Sequence, residues 1–311
     1  MRALVTGGIG FVGRHLVAHL EAAGDTVAVV DRQGEHSVDI TDLTAVTQVF
    51  RELEPECVYH LAGWADVAAS WNDPLAVLRV NAEGTLNVLA ACRAAGVGRV
   101  LSVASADVYG IVREDELPLT EDSALRPTSP YAASKMAADA IAQQAFFGFG
   151  QEVVRVRPFN HLGPGQSEQF VAPALAARIA RAERDGLDEI PVGNLSARRD
   201  VTDVRDVVRA YRLLIERGEP GQVYNVCSGR DVAVQELADV LVRLARRPLR
   251  LVPDPTLLRP VDLPVLRGDP SRLYAATGWQ PEIPVETTLA DLLDDLRTRV
   301  RSEPPIPMES T

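Results

Sequence analysis

Cysteines and aromatic residues are scarce in this sequence. Three cysteines occur among 311 residues, and phenylalanine, tryptophan and tyrosine together make up 5% of the chain. Cys57, Cys92 and Cys227 stand far apart, without the close spacing of metal ligands, so we expect three reduced, buried thiols and no metal site. Unpaired cysteines suit a reducing compartment, and we therefore expect a cytoplasmic protein.

An excess of positive charge and a long apolar run are both missing as well. The formal net charge is −11, whereas a protein that binds nucleic acid carries a basic surface. No stretch of about 18 uncharged apolar residues occurs, and strand-forming residues begin at once, without a charged leader. We therefore expect no nucleic-acid partner, no membrane span and no signal peptide.

What the sequence does contain is enough apolar material for a full α/β core. Hydrophobic residues make up 46% of the chain, and its length suits one large α/β domain, alone or with a smaller lobe. Over the first half, short β-forming runs alternate with helix-forming runs, which is typical of a parallel sheet flanked by helices.

A glycine-rich turn follows the first predicted strand. The strand covers residues 2–6, four glycines follow it, of which those at 7, 10 and 13 have the spacing of a dinucleotide site, and a helix is predicted over 14–23. In a dinucleotide site the first glycine permits a tight turn, the second lets the backbone approach a pyrophosphate, and the third allows close packing of helix on strand. The helix N-terminus then offers free N–H groups to the phosphates, although a plain glycine turn is the alternative. The cofactor-binding residues predicted here are Gly7, Gly10, Phe11, Val12 and Gly13.

A carboxylate ends the second predicted strand, about twenty residues beyond the glycines. Asp31 stands at that point, where it can bind the adenosine ribose hydroxyls. Its charge favours NAD(H), because a 2′-phosphate would meet a negative group. Arg32 beside it can pair with such a phosphate and leaves NADP(H) open. Asp31 as an ordinary turn residue at a strand end is the alternative.

Further segments border the expected cofactor. Asp39 follows the second strand, and we expect it to reach the adenine. The loop residues Leu61, Ala62 and Gly63 follow a buried strand, and the small size of Ala62 and Gly63 lets backbone lie against the cofactor. We interpret His60 as a core histidine rather than a catalyst. The remaining residues that we assign to the cofactor site are Ile40, Asn81 and Pro158.

A tyrosine and a lysine stand four residues apart in an alanine-rich run. Tyr131 and Lys135 share one face of the helix predicted to begin near Pro130. A nearby ammonium favours the phenolate, so we expect Lys135 to lower the pKa of Tyr131 towards neutral pH. The four-residue spacing alone is also compatible with a solvent-exposed helix face that has no catalytic role. Ser105 follows the strand predicted over 100–104, at the end where ligands bind open α/β sheets.

Three motifs, taken in order, resemble the extended short-chain dehydrogenase/reductase family. They are TGGIGFVG at 6–13, SADVYG at 105–110 and YAASK at 131–135. The resemblance implies an α/β protein with a Rossmann-type doubly wound parallel sheet and a smaller C-terminal substrate lobe. It also implies that Ser105 hydrogen-bonds the substrate oxygen and that Tyr131 is the general acid/base. Lys135 would then hold the nicotinamide ribose and tune Tyr131.

The resemblance also implies how the chain is divided and assembled. We expect a dinucleotide-binding domain, a smaller lobe and a disordered tail rich in proline and serine. The helices at 83–95 and 131–147 match those that pair across a two-fold axis in this family, so a homodimer is expected. The expected limits are 1–164 with returning segments at about 200–227 for the first domain, 165–199 and 228–298 for the lobe, and 301–311 for the tail.

A second set of segments resembles one branch of this family. Residues 153–165, 198–207 and 223–229 are similar to segments of GDP-4-keto-6-deoxy-mannose reductases. By this resemblance Asn160 contacts a sugar nucleotide, which is therefore the expected partner of the chain. We also assign Asp107 to the substrate site.

Arginines gather in these segments although the whole chain is acidic. Arg199 and Arg259 match family positions that contact the sugar-nucleotide pyrophosphate, and a guanidinium fork binds phosphate oxygens bidentately. The alternative to a phosphate contact is that these arginines form ordinary surface salt bridges. We prefer that alternative for Arg205, which lies between Asp203 and Asp206.

The residues after Ser105 bear on the reaction. The 4,6-dehydratases of the family keep a glutamate two places after the hydroxyl residue, often with an aspartate between. Here Ala106 and Asp107 stand in those places, so one carboxylate is missing and the other is shorter. Together with this missing carboxylate, the resemblance implies NAD(P)H-dependent reduction of the C4 ketone of a nucleotide-linked 4-keto-6-deoxy sugar, with GDP-4-keto-6-deoxy-mannose giving GDP-rhamnose. A 4-epimerase with tightly bound NAD and a non-catalytic NAD-binding sensor remain as alternatives.

Overall fold

The computed structural model describes residues 1–257 and 264–303 of the chain. Its strands are β1 (Arg2–Thr6), β2 (Thr26–Asp31), β3 (His36–Ser37), β4 (Cys57–His60), β5 (Arg99–Val103), β6 (Val153–Pro158), β7 (Asn160–Leu162), β8 (Glu189–Val192), β9 (Arg198–Asp203), β10 (Val223–Val226), β11 (Asp231–Ala233), β12 (Arg250–Pro253) and β13 (Val265–Leu266). Its helices are α1 (Phe11–Ala22), α2 (Leu43–Leu53), α3 (Pro74–Leu78), α4 (Gly84–Ala95), α5 (Pro130–Phe149), α6 (Val171–Asp185), α7 (Val204–Arg217), α8 (Val234–Arg243), α9 (Ser271–Thr277) and α10 (Val285–Val300).

Polar residues start two of the helices that flank the large sheet. The Asp42 carboxylate accepts hydrogen bonds from the Thr44 nitrogen (3.0 Å) and the Ala45 nitrogen (3.1 Å), which satisfies two free N–H groups of α2. Ser129 caps α5 through the Ala132 nitrogen (3.1 Å), and proline occupies the first helical position. These caps fix where both helices begin.

The largest sheet has seven parallel strands in the order β10-β6-β5-β4-β1-β2-β3. On its central strand β1, Val5 lies opposite Val29 of β2 and Tyr59 of β4. The order in which the chain adds strands reverses between β1 and β4. In open α/β sheets a ligand binds outside the carboxyl ends of the strands at such a point.

Helices cover both faces of this sheet. Val5 packs with Leu16 of α1 and Tyr211 of α7 on one face. Its neighbour Leu4 points the other way and packs with Val88 of α4, together with residues of α2 and α5. The strands are therefore buried on both sides, which explains their continuous apolar runs. This arrangement confirms the predicted doubly wound, Rossmann-type parallel sheet.

A second apolar cluster forms the smaller, C-terminal part of the fold. Helices α6, α8 and α10 pack around Leu175, Leu237 and Leu292. Strands β11, β9 and β13 form a small sheet with β7 on β9, and β12 pairs with β8. Within the segment expected to return to the large sheet, β10 does so, whereas β9 pairs in the small sheet. The limits of the two domains stay a prediction.

Salt bridges of two arginines bear on two further expectations from the sequence. Arg205 binds the carboxylates of Asp203 (2.7 Å) and Asp291 (2.8 Å), which confirms that it forms salt bridges. Glu303 pairs with Arg181 of α6 at 2.9 Å, and the disorder of the tail stays a prediction. The rest of that tail lies outside the described residues. Over 1–257 and 264–303, no helix combines the length and the apolar character needed to cross a membrane.

Candidate active site

The glycine-rich turn between β1 and α1 is closely packed. Gly7 has a φ of +74°, and an ideal Cβ there would lie 2.7 Å from the Ala62 nitrogen, so a larger residue would be strained. A Cβ on Gly13 would collide with the Gly7 carbonyl oxygen. Gly10 is the N-cap of α1, and no side chain in the described part of the chain caps that helix. Its first N–H groups are therefore available to an anion.

Helix α1 begins at Phe11, earlier than the predicted start at Arg14. The prediction was wrong because Gly10 already takes the extended N-cap conformation, with φ −66° and ψ 176°. Phe11 and Val12 thus lie in the first helical turn, whose N–H groups point out of the helix end. This placement supports their predicted position beside the pyrophosphate, and the contact itself stays a prediction.

Charges of both signs stand at the end of β2. The Asp31 carboxylate accepts hydrogen bonds from the Ile9 nitrogen (3.1 Å) and the Arg32 nitrogen (2.7 Å), so it lies against the glycine turn. Asp39 is held by the nitrogen and hydroxyl of Thr41 (2.9 and 2.8 Å). These bonds lower the pKa of Asp39, and the Arg32 charge lowers that pKa further. The end of β2, where the adenosine ribose is expected, therefore offers a carboxylate for a pair of ribose hydroxyls and a guanidinium for a 2′-phosphate.

Two residues predicted to bind the cofactor belong to the framework of the site. Ile40 is 7% exposed, and its carbonyl accepts a hydrogen bond from the Asn87 amide (3.0 Å). The Asn81 amide accepts from the Trp64 nitrogen (2.7 Å) and donates to the Ser134 hydroxyl (2.8 Å). Asn81 therefore fixes the loop after β4 against α5. Direct contact of either residue with a cofactor stays a prediction.

A buried polar chain links the end of β1 to helix α4. The His60 Nδ1 lies 2.8 Å from the Thr6 hydroxyl, and Nε2 lies 3.0 Å from the Thr85 hydroxyl. Thr85 donates to the Asn81 carbonyl (2.6 Å), so it accepts from His60 Nε2–H, and Thr6 donates to Nδ1. Burial, and secondarily the Lys135 charge, lowers the pKa of His60 to about 3. This neutral, fully bonded ring confirms its interpretation as a core histidine.

The three predicted catalytic residues converge at the carboxyl end of β5. Ser105 is 9% exposed and lies close enough to the Tyr131 phenol to lower the pKa of that phenol. Tyr131 is the second residue of α5, and Lys135 follows one turn later. The Lys135 ammonium donates to the Val103 carbonyl (3.0 Å) and lies beside Gly63, where an ideal Cβ would approach it to 3.3 Å. Strand β5, helix α5 and the loop after β4 thus build one site.

The structure corrects the expected pKa of the tyrosine. Burial raises the pKa of Tyr131, the nearby Asp107 charge raises it further, and only Ser105 opposes this. The predicted net fall in the pKa of Tyr131 is wrong, because the effect of burial is the largest and raises that pKa. Burial also lowers the pKa of Lys135 to about 8. The phenol therefore holds its proton at neutral pH and is an acid that can donate it.

The predicted substrate residues lie on neighbouring elements. Burial raises the pKa of Asp107, whereas the charge of Arg199 on β9 lowers it, so Asp107 lies within electrostatic range of both Arg199 and Tyr131. Asn160 is the exposed first residue of β7, close in sequence to the buried Pro158 at the end of β6. Arg259 lies outside the described residues. The structure brings Arg199 near the proposed reaction centre, and its contact with a pyrophosphate stays a prediction.

Sequence reasoning missed several contacts that fix the tyrosine. The Ser70 hydroxyl accepts a hydrogen bond from the Tyr131 nitrogen (3.3 Å) over a separation of 61 residues, which no local pattern reveals. The Ser134 hydroxyl donates to the Tyr131 carbonyl (2.7 Å). The His161 ring stacks on Phe11 with centroids 6.0 Å apart, which joins β7 to the cofactor turn. A role for Ser134 could have been predicted from the sequence, because Ser134 lies inside the motif at 131–135.

Comparisons with known proteins agree with this geometry. Residues 3–227 match the model of the NAD dependent epimerase/dehydratase family. The chain is 41% identical over 305 residues to the GDP-6-deoxy-D-mannose reductase of Pseudomonas aeruginosa, and the match covers 97% of this chain and 99% of the relative. The structure of RMD from Pseudomonas aeruginosa complexed with NADPH superposes with a TM-score of 0.88 at 40% identity, covering 96% of this chain and 99% of that one. The UDP-glucose 4-epimerase of Thermus thermophilus in complex with NAD gives a TM-score of 0.86 at 32% identity, with coverage of 96% and 99%.

A parallel sheet with a glycine turn and a serine, tyrosine and lysine at its carboxyl edge defines an NAD(P)-dependent oxidoreductase. The chain belongs to the NAD dependent epimerase/dehydratase family. The motifs at 6–13, 105–110 and 131–135 predicted this membership, and it is confirmed.

The depressed pKa of His60 makes the stability of the fold depend on pH. Below pH ~6.5 an unfolded histidine binds a proton that the folded His60 does not, so acid favours unfolding. The free energy of unfolding should fall by about 1.4 kcal/mol per pH unit from this group between its unfolded pKa and about 3. The free energy of unfolding can be measured with urea at several pH values from 7 to 5. It should fall less steeply with decreasing pH in His60→Gln than in the wild type. Equal slopes would contradict the buried neutral imidazole.

Lys135 is the single lysine of the sequence, so its pKa can be measured without assignment. Protein labelled with ¹³C at the lysine ε carbon should give one signal. Because burial lowers the pKa to about 8, its midpoint should lie near that value. The same protein in concentrated urea is the control and should titrate near ~10.4. A folded-state midpoint equal to that of the urea control would show that the ammonium is solvated.

Proposed function

We propose that this protein reduces the C4 ketone of a nucleotide-linked 4-keto-6-deoxy sugar with NAD(P)H, converting GDP-4-keto-6-deoxy-mannose to GDP-rhamnose. The observation that carries this proposal is the buried, protonated Tyr131 phenol beside the Ser105 hydroxyl at the carboxyl end of β5. The 41% identity to a GDP-6-deoxy-D-mannose reductase supports the substrate class.

The residues at the glycine turn fit a dinucleotide. Gly7 and Gly13 leave no space for a Cβ, and the uncapped start of α1 would bind the pyrophosphate. Asp31 would bind ribose hydroxyls, or Arg32 a 2′-phosphate, so both NAD(H) and NADP(H) fit. Lys135 would hold the nicotinamide ribose. When bound, the reduced dinucleotide supplies a hydride to the ketone carbon.

Tyr131 and Ser105 act on the ketone oxygen. This oxygen gains negative charge as the carbon is reduced, and the protonated phenol can donate its proton to it. The Ser105 hydroxyl donates a hydrogen bond to the same atom and stabilises the charge. Lys135, with a pKa of about 8, is mostly charged at pH 7, and its charge stabilises the phenolate that remains.

The turn after β5 argues against a dehydratase. Elimination across C5 and C6 needs one group to remove a proton and another to protonate the leaving hydroxyl. Ala106 can do neither, and Asp107 is a single carboxylate whose pKa the Arg199 charge lowers. Reduction at C4 needs no such pair, so the residues present suffice for it.

A nucleotide-sugar 4-epimerase is the second candidate. The similarity to the Thermus thermophilus UDP-glucose 4-epimerase complex with NAD favours it. Such an enzyme would use the same Tyr131 and Ser105 but would keep its NAD through each cycle, whereas a reductase must exchange the dinucleotide. A non-catalytic sensor is less well supported, because Ser105, Tyr131 and Lys135 are all present and the relative that is 41% identical is a reductase.

Incubation with GDP-4-keto-6-deoxy-mannose should consume NADH or NADPH. Replacing Tyr131→Phe should lower kcat by about 10²–10⁴-fold, because the proton donor is lost, while dinucleotide binding is retained. The absorbance of the reduced nicotinamide and a fluorescence titration measure the two effects. Tyr274→Phe, at an exposed tyrosine of α9, is the matched control. Failure to consume either dinucleotide, or a Tyr131→Phe rate equal to the wild type, would refute the proposal.

A homodimer through α4 and α5 is part of the proposal. Leu86 of α4 is 49% exposed and Phe147 of α5 is 74% exposed, so both helices present apolar side chains to the surface. Exposed alanines of α5, among them Ala133 and Ala140, allow another helix to approach closely.

Sedimentation measures the oligomeric state of the chain. The wild type should sediment as a dimer, and Phe147→Asp should give monomers, because a carboxylate would be buried in the interface. Leu187→Asp, at an exposed apolar residue away from these helices, should remain dimeric. A monomeric wild type at micromolar concentration would refute this assembly.

We place the reaction in the cytoplasm. Cys57, Cys92 and Cys227 are free and buried, an arrangement that suits a reducing compartment. Burial raises the pKa of the Cys57 thiol to about 12, so that thiol is inert at neutral pH.

A further inference from the structure

Three residues on one face of α5 are buried, and two of them take part in the proposed reaction. Tyr131, Lys135 and Asp139 are spaced four residues apart, which places them on the same side of the helix. Asp139 is only 3% exposed. A buried carboxylate is costly unless it is paired, so its partners indicate what it does.

Two arginines of β6 hold the Asp139 carboxylate. Arg155 donates from Nη1 to Oδ1 at 3.0 Å, and Arg157 donates from Nε and Nη2 to Oδ2 at 3.0 and 2.7 Å. Both guanidinium groups belong to residues that are 5% exposed, so these pairs are desolvated. The planar fork of Arg157 fixes the direction of its remaining donor.

That remaining donor reaches the turn that carries Ser105. Arg157 Nη1 donates to the Tyr109 phenol oxygen (3.1 Å) and to the Glu121 carbonyl (3.0 Å), and the Tyr109 hydroxyl donates to the Asn225 side chain (2.7 Å). Tyr109 is fully buried and is the last residue of the 3-10 turn that Ser105 caps. One guanidinium therefore bonds both to α5, which carries Tyr131, and to the turn of Ser105.

We propose that Asp139, Arg157 and Tyr109 form a positioning clamp that sets the Ser105 hydroxyl against the Tyr131 phenol. Asp139 fixes α5, Tyr109 fixes the far end of the Ser105 turn, and Arg157 joins the two. The clamp acts on the reaction only through Ser105 and Tyr131, so its members are positioning residues. Its effect on catalysis rests on the proposed function, whereas its effect on the geometry of the turn does not.

Tyr109→Phe tests the clamp with little loss of packing, because it removes one buried hydroxyl. We expect kcat to fall by about tenfold, since a displaced oxyanion donor loses part of its effect, while KM for the dinucleotide is unchanged. Tyr59→Phe is the matched control. Tyr59 is equally buried in the large sheet, but its hydroxyl has no hydrogen-bond partner among the described residues.

A double-mutant comparison separates positioning from general structural damage. If Tyr109 acts through Ser105, Tyr109→Phe should cost no further kcat in a Ser105→Ala background, because the hydroxyl to be positioned is absent. An equal loss of kcat in both backgrounds would overturn the clamp while leaving the proposed function intact.

Amide exchange gives a readout that needs no substrate. The turn is closed by the bonds from Val108 nitrogen to Ser105 carbonyl (3.3 Å) and from Gly110 nitrogen to Asp107 carbonyl (3.1 Å). Tyr109→Phe should speed hydrogen exchange in residues 105–110, and Tyr59→Phe should not. Unchanged exchange in Tyr109→Phe would overturn the clamp. A wild type inactive on the keto sugar would instead refute the proposed function, and exchange would still decide the clamp.

Discussion

Exclusion of water from a phenol and an ammonium on one helix face is the constraint on which the site depends. Tyr131 and Lys135 are each 8% exposed, and desolvation disfavours the charged form of both. The phenol pKa therefore rises and the ammonium pKa falls to about 8. At neutral pH the phenol therefore keeps a proton that it can donate, and the ammonium one turn along the helix stays mostly charged and can stabilise the phenolate that donation leaves. Reduction of a ketone requires this state of the tyrosine.

The surrounding polar contacts hold that helix face in place. His60 links the end of β1 to α4 in a single tautomer, and the Asn81 side chain continues the connection to Ser134 of α5. On the other side of the site, Asp139 and Arg157 tie α5 to β6 and to the turn of Ser105. Buried polar groups must be satisfied, so these bonds leave few alternative positions for the catalytic residues.

The sequence predicted those parts of the molecule that are set by local pattern. The glycine spacing, the strand and helix alternation and the motif at 131–135 identified the parallel sheet and placed Ser105, Tyr131 and Lys135 together. The sequence could not predict the direction of the Tyr131 pKa shift, because the burial that causes the shift is a property of the packed fold. The bond between Arg157 and Tyr109 spans 48 residues, and the pairing of β9 with β11 is likewise set by tertiary contacts.

Following a deuterium atom from the dinucleotide to the sugar tests the proposed reduction most directly. Reduced nicotinamide dinucleotide deuterated at C4 should be incubated with the protein and GDP-4-keto-6-deoxy-mannose, and the product examined by NMR and mass spectrometry. We predict one deuterium at C4 of the product sugar for each dinucleotide consumed. A sugar nucleotide that is converted without label and without consumption of the dinucleotide would contradict reduction as the reaction of this site.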